Sequence, residues 1–413
     1  MIQLAHAVHL VELMKKWFPI LLFTLSACVS ENESTPTSDI DPVSWLETNA
    51  TNYLENQEWR RAQLEASLWM PELPYARKRL EAYGLVDSGW DFLPQMSFTT
   101  TRVGGNPVTV EFSDAVPTSR EEWLKLGEQV FWDMPMRRDG YLEWLAVNPQ
   151  IWDEVGIQTD RDGNMRGIVK FEDVTGRQRM GVTCGVCHGD NGVPGTANHK
   201  LDLGKARSYF GEVVGANFTE GLEWGPGAVD VTDDNITDPL GIPTLWALEH
   251  QSHINRSGAI KLASPAALAI RFETQYIEGH SMMARPNRTH TLALAMYVYS
   301  LTSPTQREEL SENERGRTIF QDNCASCHNP EKGYGGGLVA ASTINSNPIA
   351  TQSPMRGTGF FKVPTLIGIS KSDRFMHDAG LDSLEDVIDS GHPNGSSLDA
   401  KDREDLLSFL GKL

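Results

Sequence analysis

The chain has 413 residues, 40% of them hydrophobic and 22% charged, with a formal net charge of -19 at pH 7. That length accommodates two or three domains with ordinary globular cores. The acidity argues against a nucleic-acid-binding role and suits a basic protein partner.

At the amino-terminal end, Lys15-Lys16 precede an apolar run from Trp17 to Ala27 that closes on Leu25-Ser26-Ala27-Cys28. A basic region, a short apolar stretch and small residues before a cleavage point predict a secretory signal over 1–27. The run is too short to cross a bilayer as a helix. Met14-Lys15-Lys16 begins a conventional signal, so the start is either Met1 or Met14. The Leu-Ser-Ala-Cys sequence resembles the bacterial lipobox. The resemblance implies acylation of Cys28 and attachment to a membrane by acyl chains; a plain signal peptide with an unmodified cysteine is the alternative. Val29, in place of the Asp that retains lipoproteins in the inner membrane, favours the outer membrane. Residues 28–41, rich in Ser, Thr, Glu, Asp and Pro, read as a disordered stalk.

Residues 42–117 read as an irregular N-terminal extension. Trp45, Leu46, Tyr53, Leu54, Trp59, Leu64, Leu68 and Trp69 suggest one or two amphipathic helices, which Pro71, Pro74 and Gly84 interrupt. Thr99–Val103 and Val108–Val110 suggest a small hairpin.

Two blocks then dominate the chain, Cys184-Gly-Val-Cys187-His188 and Cys324-Ala-Ser-Cys327-His328. Cys-x-x-Cys-His is the attachment signature of c-type haem. Two thiols at this spacing can add to the two vinyl groups of one haem, and the following histidine becomes the proximal iron ligand. The blocks lie much too far apart to make one zinc site of paired Cys-x-x-Cys units. Two covalently attached haems are expected, and haem attachment agrees with export.

Each block sits inside a longer repeat. A capping box opens each unit, Ser119 with Glu122 and Ser311 with Glu314. Gly127–Phe131 is answered by Gly316–Phe320, and Ile242-Pro-Thr-Leu245 by Val363-Pro-Thr-Leu366. The closing stretches align at one constant offset, pairing Glu273 with Glu385, His280 with His392, Tyr297 with Phe409 and Leu301 with Leu413. This divides the body into a first unit at 118–304, with insertions at 132–183 and 195–241, and a second at 305–413. The expected fold is mainly α, two tandem cytochrome-c-like helical domains behind the extension.

The coincidence of His280 and His392 nominates them as distal haem ligands, a pairing that would lower the potentials relative to methionine. Surface histidines are the alternative, as are Met282 or Met283 for the first haem and Met376 or Met355 for the second. His250 and His253 have no histidine counterpart in the second unit. Asp230, Asp233, Asp234, Asn235 and Asp238 gather oxygen ligands of the kind calcium prefers, but without EF-hand spacing, and a solvated acidic loop is the favoured reading over a calcium site.

On these motifs residues 118–413 resemble the bacterial dihaem cytochromes c and, more distantly, the dihaem cytochrome c peroxidase group. Leu126–Asp133 looks like that group's opening helix, and Phe361–Leu366 with Met376-His377-Asp378 looks like the Pro-Thr-Leu and His-Asp-Gly region of its second domain. There the distal ligand follows His-Asp by a dozen or so residues, which points to His392. The group's Pro-rich loop bearing a Glu-Met pair is not recognisable between the blocks. The resulting expectation is electron transfer between periplasmic redox proteins, with a dihaem peroxidase or oxygenase bearing one open haem as the alternative.

Overall fold

A computed structural model describes residues 41–84, 93–96, 99–230, 232, 236–304, 315–344, 346–392 and 395–413. The signal segment, Cys28, all but the last residue of the stalk, the Ser311–Glu314 box and Asp233, Asp234 and Asn235 lie outside the described residues.

The helices of the first half are α1 (Pro42–Glu55), α2 (Gln57–Ser67), α3 (Pro74–Ala82), α4 (Arg120–Asp133), α5 (Gly140–Ala146), α6 (Cys184–His188), α7 (Leu203–Val214), α8 (Ala266–Gly279) and α9 (Arg288–Tyr299). The second half adds α10 (Arg315–Asn323), α11 (Ile349–Gln352), α12 (Leu384–Asp389) and α13 (Ala400–Leu410).

Where the sequence suggested an irregular extension, residues 42–82 form three helices. Asp41 starts α1 by accepting from the backbone N–H groups of Val43 and Ser44, with Pro42 in the first turn, where its missing N–H is harmless. Val43, Leu46, Tyr53 and Leu64 then pack into one core with Trp123, Val130, Leu268, Tyr276 and the whole run Leu292–Tyr299. The extension therefore shares the first unit's core. This explains why α9 is apolar all round from Leu292 onward: α1 covers one side and α4 the other. Tyr53 also donates its hydroxyl to the fully buried Glu273 and lies 3.0 Å from the Thr291 hydroxyl.

The α4–α9 crossing depends on Gly127. A Cβ there would run into the Ala293 carbonyl and the Tyr297 side chain. The α10–α13 crossing repeats the arrangement, with Gly316 against the Asp405 carbonyl and Phe409. Ser119 caps α4 through the Glu122 N–H, and the Glu122 carboxylate closes on the Thr118 N–H at 2.7 Å.

The expected hairpin forms from β1 (Thr99–Arg102) and β2 (Val108–Glu111). It belongs to a larger element that the mainly-α expectation missed. With β3 (Arg137–Arg138), β4 (Ile168–Glu172) and β5 (Gln178–Val182) it makes a five-stranded antiparallel sheet in the order β2-β1-β4-β5-β3. The 132–183 insertion thus supplies three strands, and β4 finds its second partner about seventy residues upstream in β1. Short pairs β6 (Ala228–Val229) with β7 (Leu240–Gly241), and β8 (Leu338–Ala340) with β9 (Phe360–Lys362), complete the strands described here.

The halves are joined by specific contacts. Gly241 N–H donates to the His377 carbonyl at 2.7 Å, Lys362 N–H to the Arg256 carbonyl at 2.8 Å and Tyr75 N–H to the Met355 carbonyl at 3.0 Å. Arg356, 2% exposed, donates to the Asp238 carboxylate at 2.8 Å, with Asp230 3.9 Å away. The two described carboxylates of the acidic loop turn onto a guanidinium, which supplies the positive charge.

Candidate haem sites

The second block is built by the end of α10. Cys324 and Ala325 N–H groups both donate to the Phe320 carbonyl, and Cys327 and His328 N–H groups donate to the Cys324 carbonyl at 3.1 and 2.9 Å. One tight turn therefore carries both sulfurs and the imidazole. All three line a cavity of about 1800 Å³ of atom-free space, open solvent at its mouth included. Its walls are largely apolar, with Phe361, Val363, Leu384, Val387, Leu406 and Leu410 among them. A large apolar cleft beside two thiols and an imidazole fits a porphyrin.

The His328 ring is oriented by its own hydrogen bond. Nδ1 lies 3.0 Å from the Tyr334 carbonyl, and the Pro364 backbone also acts on the ring. A carbonyl only accepts, so Nδ1 carries the proton and Nε2 keeps its lone pair for a metal. Burial pushes the imidazole down to about 4, which keeps it neutral at physiological pH. Tyr334 stands edge-on to Phe320 and Phe409, which are tilted against each other, tying this turn to the α10–α13 crossing.

The first block forms α6, capped by the Thr183 hydroxyl, which accepts from Gly185 N–H at 3.2 Å. Its imidazole is set in the same way. His188 Nδ1 meets the Pro243 carbonyl at 3.0 Å, and burial again lowers the ring to about 4. Pro243 and Pro364 are the matching prolines of the two Pro-Thr-Leu elements, and each element is followed by a residue of positive φ, Ala247 at 54° and Gly368 at 76°. The Trp132 ring lies against Gly185 and Gly189, where a Cβ would collide with it. Burial raises the Cys184 and Cys187 thiols to about 12 and Cys324 to about 11, so each stays protonated until attachment.

The two nominated distal histidines, matched in sequence, have different surroundings. His392 lines the cavity at the Cys324–His328 block, close enough to His328 to act on its charge, and its Nδ1 has no hydrogen-bond partner among the described residues. His280 caps the end of α8. Its Nε2 lies 2.9 Å from the Pro135 carbonyl, and its ring stands edge-on to Phe171 at 5.5 Å. Ligation through that nitrogen would require this bond to break.

Of the methionine alternatives, Met376 lines the Cys324–His328 cavity in a left-handed backbone conformation. Met355 packs with Tyr75, Ala259 and Ile260, and Met282 and Met283 are exposed. His253 is buried beside Trp69, and His250 lies against Gly333. Sequence reasoning noticed His377 only as part of a motif. It is buried in the Cys324–His328 cavity with Nε2 unpartnered among the described residues. Lys362, noticed only as part of the Phe361–Leu366 motif, and Arg256, which no local motif surrounds, also line this cavity.

Comparison with known proteins places a family at this site. Residues 313–413 match the family model for cytochrome c, a stretch that includes the Cys324–His328 block. No curated protein sequence matches the chain. Among solved structures, a chain of Kuenenia stuttgartiensis hydrazine synthase pressurised with 20 bar xenon aligns with 17% identity and a TM-score of 0.34, over 74% of this chain and 98% of that one.

Proposed function

From its carboxy-terminal cytochrome c domain, a haem-based redox module with c-type haem iron as its cofactor, we propose that this chain is an exported dihaem cytochrome c. In this reading it passes single electrons between periplasmic redox proteins. The bound haem would supply the one-electron chemistry, and the protein sets its ligands, burial and orientation. Cys184 and Cys187 would hold one haem with His188 as proximal ligand, and Cys324 and Cys327 the other with His328. The observation that carries the reading is the shared orientation of His188 and His328. Each has Nδ1 tied to a carbonyl, an outer hydrogen bond of the kind that fixes tautomer and ring direction in metal-ligating histidines. The repeated glycine–aromatic helix crossing supports two cytochrome units. His392 is the distal ligand proposed for the second haem and His280 for the first. Cys28 would carry the lipid that holds the protein on a membrane, the outer membrane by preference.

A second reading keeps the two haems and makes the first an open, reactive site, as in a peroxidase or oxygenase. It is favoured by the hydrogen bond that engages His280 Nε2 with Pro135. An EPR spectrum of the oxidised protein, normalised to haem content, separates the two. Two low-spin ferric signals are expected for electron transfer. A high-spin component from one haem, with cyanide binding in the wild type, would replace that reading with the enzymatic one.

A further inference from the structure

The cavity around Cys324, Cys327 and His328 has a cationic end. Lys362 of β9 is 7% exposed and directs Nζ to two neutral acceptors, the Gln251 side-chain oxygen and the Ile254 carbonyl, the latter at 3.1 Å. Arg256 reaches the same cavity from the first half of the chain. Its Nε donates to the Gly241 carbonyl at 3.3 Å, and Asp378 is the carboxylate that acts on it. His377 is also 7% exposed. Its Nδ1 lies 3.0 Å from the Ser346 hydroxyl, its ring packs 4.1 Å from Phe361, and its Nε2 has no partner among the described residues. Arg256 is near enough to both Lys362 and His377 to oppose their charged forms.

Three basic groups converging in a low-dielectric cavity with one acidic neighbour is a costly arrangement unless anions sit among them. A haem presents the complementary shape, an apolar macrocycle with two carboxylates at one edge. The apolar walls of this cavity and its basic end match those two parts. We infer that Arg256, Lys362 and His377 bind the propionate carboxylates of the haem attached at Cys324 and Cys327. The inference rests on the proposal that this block carries a haem. It assigns Arg256 a specific role, because a first-half residue then grips the second haem. The backbone bond from Lys362 N–H to the Arg256 carbonyl holds two of the three groups in register.

The test uses full-length, haem-loaded protein carrying Lys362→Met or Arg256→Gln, with Lys362→Arg as the conservative control. Resonance Raman reports the propionate bending bands, redox titration the two potentials, and a pyridine haemochrome assay the haem count. Both charge-removing variants are expected to keep two haems, shift the propionate bands and lower one potential, since losing a nearby positive charge favours ferric iron. Lys362→Arg is expected to preserve the wild-type bands. Unchanged bands and potentials in both variants, with two haems present, would overturn the inference. So would phosphate altering the wild-type potential while the variants lose that response and keep wild-type bands, because the basic end would then serve a free oxyanion. Cys324→Ala with Cys327→Ala separates the underlying reading, which fails if that double variant keeps two covalent haems.

Discussion

Gly316 of α10 lies directly against Phe409 of α13, just as Gly127 of α4 lies against Tyr297 of α9. In both crossings the glycine lets one helix backbone approach the other closely enough for the aromatic ring to cover it. The second ring continues into the Phe320–Tyr334 pair, and Tyr334 supplies the carbonyl that orients His328. Helix packing and imidazole direction are therefore one continuous arrangement.

Gly316→Ala tests that arrangement. The added methyl meets the Asp405 backbone, which cannot step aside as a flexible side chain can. A loss of about 1–3 kcal/mol is expected from overpacking, against a gain of about 1 kcal/mol in helix propensity. Gly140→Ala, at a position with open space around it, is the control and should not destabilise. Denaturant unfolding of both variants checks the difference.

Arg356 joins the halves through a fully buried carboxylate, Asp238. Arg356→Met should cost about 3–5 kcal/mol, because it leaves that carboxylate charged and unpaired. Adding Asp238→Asn should recover part of the loss. Thermal unfolding of the single and double variants measures the coupling, and a double variant no better than the single would contradict it.

Acid should weaken the fold through its buried histidines. Burial, with Lys362 and Lys261 nearby, lowers His253 to about 4, against an ordinary value of about 6.5. Between these values the unfolded chain binds more protons than the folded one. Stability is therefore retained above about pH 6.5, falls as the pH drops toward 4 and levels off below. His253→Gln should flatten part of that slope in unfolding curves taken across the window. A slope identical to wild type would show that His253 titrates normally.

For the haem proposed at Cys324–His328, the sixth ligand can be read by spin state. His392→Ala should give a high-spin ferric signal from one haem and new cyanide binding, while Met376→Leu should leave the low-spin spectrum intact. The reverse outcome would assign the iron to Met376, which shares the cavity.

What the linear chain determined by itself was local chemistry. Thioether attachment needs two sulfurs and an imidazole within five residues, so Cys184–His188 and Cys324–His328 are visible without a fold. The repeat aligned Gly127 with Gly316 and Tyr297 with Phe409, while the contact of each glycine with its aromatic is a product of the fold. Tertiary structure alone decided what depends on distant partners. Glu273 and Glu385 align in the repeat, yet the first is sealed under Tyr53 and the second is exposed, because only the first unit is covered by α1. His280 and His392 align too, yet Pro135 holds one and a cavity surrounds the other. Strand β4 reads weakly alone because β1, which pairs with it, is remote in sequence. The charge role of Arg256 and Lys362 was not legible because a cationic end exists only when two remote segments fold onto one cavity. Spacing along a chain encodes covalent and helical geometry. Burial and charge environment arise from residues that only folding brings together.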